Sequence, residues 1–367
     1  MKKLFGLLLA AVMALSLAAC GQGAEVKTEI VRNSRPVMPV EIQWPKELEN
    51  YQYVETVSFD GQYAIMTADR AVPVKGEITE TETVKLYAYD VHRQKMMHYV
   101  NVNLTGGFVV SGAKDGDNLY YIAEYPNRNR AVLYINDGLE TKEIGDIPCD
   151  NVKMNPPYIL KTGDRLMVVA CSEYTDTSRW DFYLIDGENM EKIYSHEGTN
   201  LTYLTNIGYN ADTRQVEFVQ YSQPETGIWQ IDRVTGGEKQ LLLENKSDYL
   251  HFAVMDNLIF HYVEDKANTD ERQVLAVTDY VNGGTTKIGL MSFGGFYNYN
   301  SSFGLIYEKD GLDMVQLKVE NGAVVISPVA TDFGENASFR FIGEGDSALM
   351  QKYDYDTQSL SLYVINK

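Results

Sequence analysis

Seven short stretches decide the fold: LYAYD (86–90), LYIND (133–137), FYLID (182–186), IWQID (228–232), LAVTD (275–279), VQLKVE (315–320) and LYVIN (362–366). Each is an apolar and aromatic strand-like run that ends on an acidic or amide residue, at Asp90, Asp137, Asp186, Asp232, Asp279, Glu320 and Asn366. Successive end residues lie 41–49 positions apart and average 46. Alternation argues for strands, and self-similarity at a fixed period argues for a repeat architecture.

Working outward, each unit offers three more strand-like runs between Gly/Asn/Asp turns. In the second unit these are 107–111, 119–123 after the turn KDGDN, and 141–145, beside the run 131–136. In the fifth they are 250–254, 258–263 and 286–291, beside 273–279. No stretch carries a 3.6-residue apolar period. Four antiparallel strands in 40–50 residues make a β-propeller blade, and residues 45–366, 322 in number, hold seven units of 46. The expected fold is therefore all-β, a seven-bladed propeller formed by residues 37–367. The chain stops after the third strand of its last unit, so that blade needs a strand from elsewhere. VMPVEIQW (37–44) alternates and precedes the first blade; it is expected to close the ring as the outermost strand of the seventh blade, where an edge tolerates Pro39.

The composition fits such a domain. Hydrophobic residues make up 44% and aromatics 11%, with 26 Tyr, too much burial material for a disordered chain. With 32 Lys+Arg against 51 Asp+Glu the charge is −19, which argues against a nucleic-acid partner.

The N-terminus MKKLFGLLLAAVMALSLAAC (1–20) has two lysines, an apolar run of about a dozen residues and small residues before Cys20, the pattern of a secretory signal. The run is shorter than the ~18–20 residues that span a bilayer. Leu17-Ala18-Ala19-Cys20 resembles the bacterial lipobox, which implies cleavage after residue 19 and a diacylated Cys20. The remaining chain would carry 30 basic and 51 acidic residues, a charge of −21. Residues 20–36 are expected to be the lipidated cysteine and its tether, and the protein an extracytoplasmic one held at the membrane of a bacterial cell envelope. The recurring LYxxD strand resembles the third strand of WD40-like, YVTN or TolB-type bacterial propellers. With the lipobox, the chain as a whole resembles a bacterial β-propeller lipoprotein.

Propellers host many functions, so function has to be sought in a site. No GxSxG elbow occurs, and no Ser or Cys has a His partner nearby in sequence. The Asp-box of sialidase propellers is missing, and Lys114-Asp115-Gly116-Asp117 and Tyr353-Asp354-Tyr355-Asp356 read as turns rather than calcium loops. His92 and His98 fall at an outer turn and His196 in a loop; His251 and His261 flank two strands of the fifth unit without a third ligand. Neither a catalytic group, a metal nor a cofactor is indicated. The loops joining second to third strands, at 67–84, 124–130, 173–180, 221–227, 264–272 and 353–359, and those between blades share one face. They are expected to bring Tyr125, Arg128, Arg130, Tyr174, Arg179, Trp180, Tyr221 and Tyr353 to one rim, with Phe296, Tyr297 and Tyr299 from the loop 292–300. Aromatic rings beside Arg, Asn and Asp suit a non-catalytic binding or scaffold module for a protein or glycan partner. The competing reading is an enzyme acting on polysaccharide or peptide with rim carboxylates. Cys149 and Cys171 should reach the same face, as a disulfide or as two separate buried thiols.

Overall fold

The structure is a computed structural model. It describes residues 27–366 apart from 49–50, 52, 70–83, 103, 105–106, 126–127, 151–154, 200–201, 226, 246–251, 265–272, 289–295, 300–302, 308–313, 331–336, 343–345 and 358.

The second repeat shows why the sheets must form a ring. Its strands Phe108–Asp115, Asn118–Tyr125, Arg130–Asn136 and Thr141–Ile147 pair antiparallel in chain order. Within LYYIA (119–123), Leu119, Tyr121 and Ala123 pack toward the preceding sheet, while Tyr120 and Ile122 pack toward the following one. A sheet apolar on both faces needs a neighbour on each. The same plan recurs through residues 53–102, 108–147, 158–199, 203–245, 252–287, 296–328 and 337–366, which are blades one to seven. Seven apolar clusters fill the junctions between successive blades. An open arc of seven sheets has only six junctions. The seventh, where Leu349, Leu362 and Val364 of blade seven meet Phe59, Met66 and Tyr89 of blade one, makes the chain a closed seven-bladed β-propeller.

Two N-terminal strands, β1 (Ile30–Arg32) and β2 (Val40–Ile42), join this ring. β2 runs antiparallel to Ser359–Asn366, with Val40 opposite Val364 and Ile42 opposite Leu362. It supplies the missing outermost strand of blade seven, over a shorter span than the 37–44 expected. Pro39 lies just before it, and Val37 instead bridges Val329 at the end of blade six. The Val37 N–H donates to the Pro328 carbonyl and the Ala330 N–H to the Val37 carbonyl, both at 2.8 Å.

The expected tether is corrected at its C-terminal end. Residues 28–36 do not hang free: β1 lies parallel to Ala323–Pro328 as a fifth strand of blade six. The Val324 N–H donates to the Glu29 carbonyl (2.9 Å), and the Thr28 N–H donates to Thr286 Oγ1 on blade five (3.1 Å). Ile30 packs against the cluster shared by blades five and six. An outer sheet edge presents unpaired N–H and C=O groups, and a β-branched pair such as Ile30-Val31 favours the extended backbone that covers them.

The acidic end of the repeat has a physical role. Asp90 accepts the N–H groups of His92 (3.1 Å) and Arg93 (2.9 Å), and Asp137 those of Leu139 and Glu140 (2.9 Å each). Asp279 does the same for Val281 (3.0 Å) and Asn282 (2.9 Å). The carboxylate thereby organises the turn into the outermost strand. The fourth repeat is misaligned in the sequence reading. Its third strand runs Ile228–Thr235, so Asp232 lies inside the strand, and the turn is made by Gly236 and Gly237 at positive φ. Asp232 instead accepts a hydrogen bond from Gln220 Nε2 (2.9 Å).

Candidate functional site: the loop face

Because strands alternate in direction, the second-to-third connections and the blade-to-blade connections open on one face, here the loop face. The first-to-second and third-to-fourth turns lie on the other, the hairpin face. Several rim residues named from sequence lie at the loop face, but not all in loops. Tyr125 ends its strand and is 9% exposed, with its hydroxyl 3.2 Å from that of Tyr134. The Arg128 guanidinium sits 5.8 Å from the Tyr125 ring centroid. Arg130 begins the next strand, and ion pairs to Asp146 and to Glu143 (3.0 Å) occupy it. Tyr353 packs edge-to-face on Tyr355, with centroids 5.1 Å apart.

Two expected loops are corrected. In blade three the second and third strands run Arg165–Tyr174 and Thr177–Asp186, leaving residues 175–176 as the turn. Tyr174, Arg179 and Trp180 are therefore strand residues. Thr177, Trp180 and Phe182 favour a strand, and Ser178 alternates inward to full burial, its hydroxyl bonded to the Thr199 carbonyl (2.7 Å). The Tyr174 N–H donates to the Asp150 carboxylate (3.2 Å), and Trp180 packs into the junction of blades three and four. Arg179 pairs with Asp181 (3.5 Å) and Glu173 (3.8 Å). In blade four the strands Gln215–Glu225 and Ile228–Thr235 leave an equally short turn. Tyr221 is packed between Tyr203 (5.0 Å, stacked) and Phe252 (4.3 Å, edge-to-face). Phe296, Tyr297 and Tyr299 belong to the innermost strand Phe296–Tyr299 of blade six, not to a loop, and their side chains lie outside the described residues. The loops 70–83 and 265–272, His251 and Cys20 also lie outside them.

Sequence reasoning missed three exposed rings at this face. Phe108 (48% exposed) and Tyr203 (43%) begin innermost strands, and Tyr355 (52%) sits in a second-to-third turn. With Tyr353 they are four of the five exposed aromatic side chains among the described residues; the fifth, Tyr99, lies on the outer strand of blade one. The usable signal was position, an aromatic at the first residue of an inner strand, where one side has no neighbour.

The titratable groups inside the ring are tied into structure. Asp181 would be raised by burial, but hydrogen bonds from Lys192 (2.7 Å) and Ser195 (2.6 Å) hold it below the usual carboxylate range. His196 bonds Gln220 Oε1 (2.5 Å), linking blades three and four, and His261 bonds Thr278 Oγ1 (2.8 Å). Burial lowers both imidazoles, His261 to about 4. His92 lies at a turn beside the Gly61 carbonyl (2.9 Å), and His98 bonds Asn136 (2.7 Å). Cys149 and Cys171 are free thiols, pushed up to about 11 by burial. The Asp150 N–H donates to the Cys171 carbonyl (3.0 Å). Among the described residues, no three His, Cys, Asp or Glu side chains converge as metal ligands.

Two concavities are lined by described residues. A cavity of about 160 Å³ near the axis is lined by Ser58, Ser111, Tyr158 and Lys161, but its hydroxyls bind neighbouring blades: Ser58 accepts the Gly112 N–H (3.2 Å) and Ser111 the Ile159 N–H (2.9 Å). A cleft of about 480 Å³ lies outside blade one, between Glu47, Tyr51, Lys85, Tyr87 and Tyr99.

The comparisons agree with the fold. The chain is similar to the β-propeller domain of the Trilobed protease from Pyrococcus furiosus (TM-score 0.53, 14% identity, 86% of this chain and 96% of that one). It is also similar to the polysaccharide lyase Uly1 (0.51, 9%, 93% and 97%) and to the acylaminoacyl peptidase of Pyrococcus horikoshii (0.52, 14%, 89% and 53%). The chain spans about half the length of that peptidase. No protein-family model and no curated protein matches it. At these identities the likeness shows the propeller and nothing finer.

Proposed function

We propose that this protein is a lipid-anchored, extracytoplasmic propeller of the bacterial cell envelope. Its loop face binds a protein or glycan partner without catalysing a reaction. One observation carries the binding reading: among the described residues, four of the five exposed aromatic side chains, Phe108, Tyr203, Tyr353 and Tyr355, lie on one face of the disc. Exposed rings lose hydration and gain stacking when a partner covers them. Two arginines named at this rim are already paired, Arg130 with Asp146 and Glu143 and Arg179 with Asp181. The lipobox-like Leu17-Ala18-Ala19-Cys20 supports the anchor.

The test combines co-purification from detergent-solubilised membranes with a glycan array, using the wild type and the Tyr203→Ala/Tyr355→Ala double variant. A ligand retained by the wild type and lost by a fully folded double variant is the expected result. Product release from a polysaccharide panel, abolished by mutating one loop-face acid, would replace binding by catalysis. Cys20→Ala should move the protein from the membrane fraction to the soluble one; retention there would remove the lipid anchor.

A further inference from the structure

Resting on that lipid anchor, we infer that the propeller sits with its hairpin face toward the membrane and its aromatic loop face turned outward. The direction of β1 carries the argument. β1 is parallel to Ala323–Pro328, the outermost strand of blade six, with Ile30 opposite Val324 and Arg32 opposite Ile326. That strand starts at the third-to-fourth turn, Asn321-Gly322, so the N-terminal end of β1 lies at the hairpin face. Thr28 agrees: its partner Thr286 belongs to Gly284–Lys287, which starts just after the third-to-fourth turn of blade five. The chain thus reaches the ring from the hairpin face, at the boundary of blades five and six.

Only residues 21–27 separate Cys20 from Thr28, and seven residues reach about 25 Å when fully extended. Acyl chains on Cys20 would hold that boundary near the lipid. The same face carries two strongly exposed aliphatic side chains at third-to-fourth turns, Val281 (68%) in blade five and Leu139 (95%) in blade two. Val281 lies five residues from Thr286 and so close to the point of entry. Leu139 stands on another blade, and together with the anchor the two would define a plane. Aliphatic tips favour the headgroup boundary over water. With 30 basic and 51 acidic residues the lipidated chain carries −21 and has no attraction to anionic lipid, so the occupant that fits is a neutral bilayer surface.

Energy transfer tests the orientation on the full lipidated chain. Single donors are attached at Leu139→Cys, Val281→Cys or Tyr355→Cys, and the protein is reconstituted in phosphatidylcholine vesicles with a headgroup-labelled acceptor. The buried Cys171 and half-buried Cys149, both with raised thiol pKa, compete poorly for the label. Strong transfer from 139 and 281 and weak transfer from 355 is expected. Equal transfer from all three sites, or the reverse order, with the protein on the vesicles overturns the orientation and leaves the anchor standing. Protein that never associates with vesicles overturns the anchor, and the orientation with it.

Discussion

Blades two and seven share one plan and are assembled differently. In blade two, four consecutive strands are joined by short connections, and the outermost, Thr141–Ile147, is seven residues long. In blade seven the outermost strand is the three-residue β2, more than 300 positions away in sequence from its partner. Three pairs are a thin seam, and the ring spreads closure beyond them. Val37 bridges blade six, β1 adds a fifth strand there, Thr28 reaches blade five, and Ile42 (3% exposed) fills the junction with blade one. Closure of this propeller is therefore a belt over three blades rather than a single zipped strand.

The largest effect that can break this comparison comes from deleting the belt. Removing residues 28–44 exposes the edges of blades six and seven and leaves the Ile42 and Ile30 sites empty. At a few kcal/mol for each buried side chain, the loss is roughly 5–8 kcal/mol. In a chain of this size that lowers the thermal midpoint by about 10 °C or more. Removing residues 28–35 alone, which keeps β2, should cost clearly less. An unchanged midpoint after removal of 28–44 would show that the ring holds closed without the belt. Next in size is a matched pair of core truncations. Leu133→Ala in blade two (0% exposed) and Ile42→Ala in the belt should each cost about 2–4 kcal/mol in denaturant unfolding. A negligible cost at Ile42 would mean that the seam relaxes around a cavity that blade two cannot absorb.

The architecture was largely legible before the structure, because alternation and period survive in every unit. What was illegible has a physical pattern. The belt strand β1 is three residues long, and its parallel partner lies almost 300 positions away, so local sequence carries no sign of it. The loop boundaries of blades three and four were misplaced because polar residues continued the strands: Ser178 alternates inward within TSRWDF, and in blade four the strand runs on through Ser222-Gln223-Pro224-Glu225. A buried polar residue with a partner looks in sequence like a loop. Tyr125, Arg128 and Tyr353, named from the loops, lie at the loop face. Tyr221 proved to be an inter-blade packing residue, because its partners Tyr203 and Phe252 come from two different inner strands.

Acid should open the two kinds of blade unequally. Blade seven contains no histidine. Blade five contains His261, whose imidazole is held near 4 by burial against an ordinary value of about 6.5. Between those values the unfolded chain binds a proton that the folded chain does not, so stability falls as pH drops through that window. One such group is worth up to about 3 kcal/mol at ~1.4 kcal/mol per pH unit. His196, also lowered, adds in the same direction. Thermal midpoints measured from pH 7 to 4.5 should fall, and His261→Gln should flatten the slope. A slope untouched by that variant would locate acid sensitivity elsewhere, the seam included.

The smallest difference is also the sharpest test of what the repeat's terminal residue does. In blade one Asp90 is fully buried, accepts the His92 and Arg93 N–H groups and receives Gln62 Nε2 (3.0 Å). Burial works to raise its pKa, but these hydrogen bonds and the nearby Arg93 bring it below the usual range. Its contribution is therefore complete above the unfolded-state value near 4 and is lost as pH falls through the lower folded value. In blade seven the corresponding residue, Asn366, has no third-to-fourth turn to cap, because the fourth strand arrives from the N-terminus. Its side chain accepts the Ser347 hydroxyl instead (2.8 Å). Asp90→Ala should thus take the buried carboxylate away from the His92 and Arg93 N–H groups and from Gln62 and cost about 1–3 kcal/mol, whereas Asn366→Ala loses one side-chain bond, to Ser347, about 0.5–1 kcal/mol. Equal costs in urea unfolding at pH 7 would mean that the acid is kept for the strand rather than for the turn. The larger cost at Asp90, shrinking as pH falls below about 4, would tie the repeat's last letter to the hairpin that follows it.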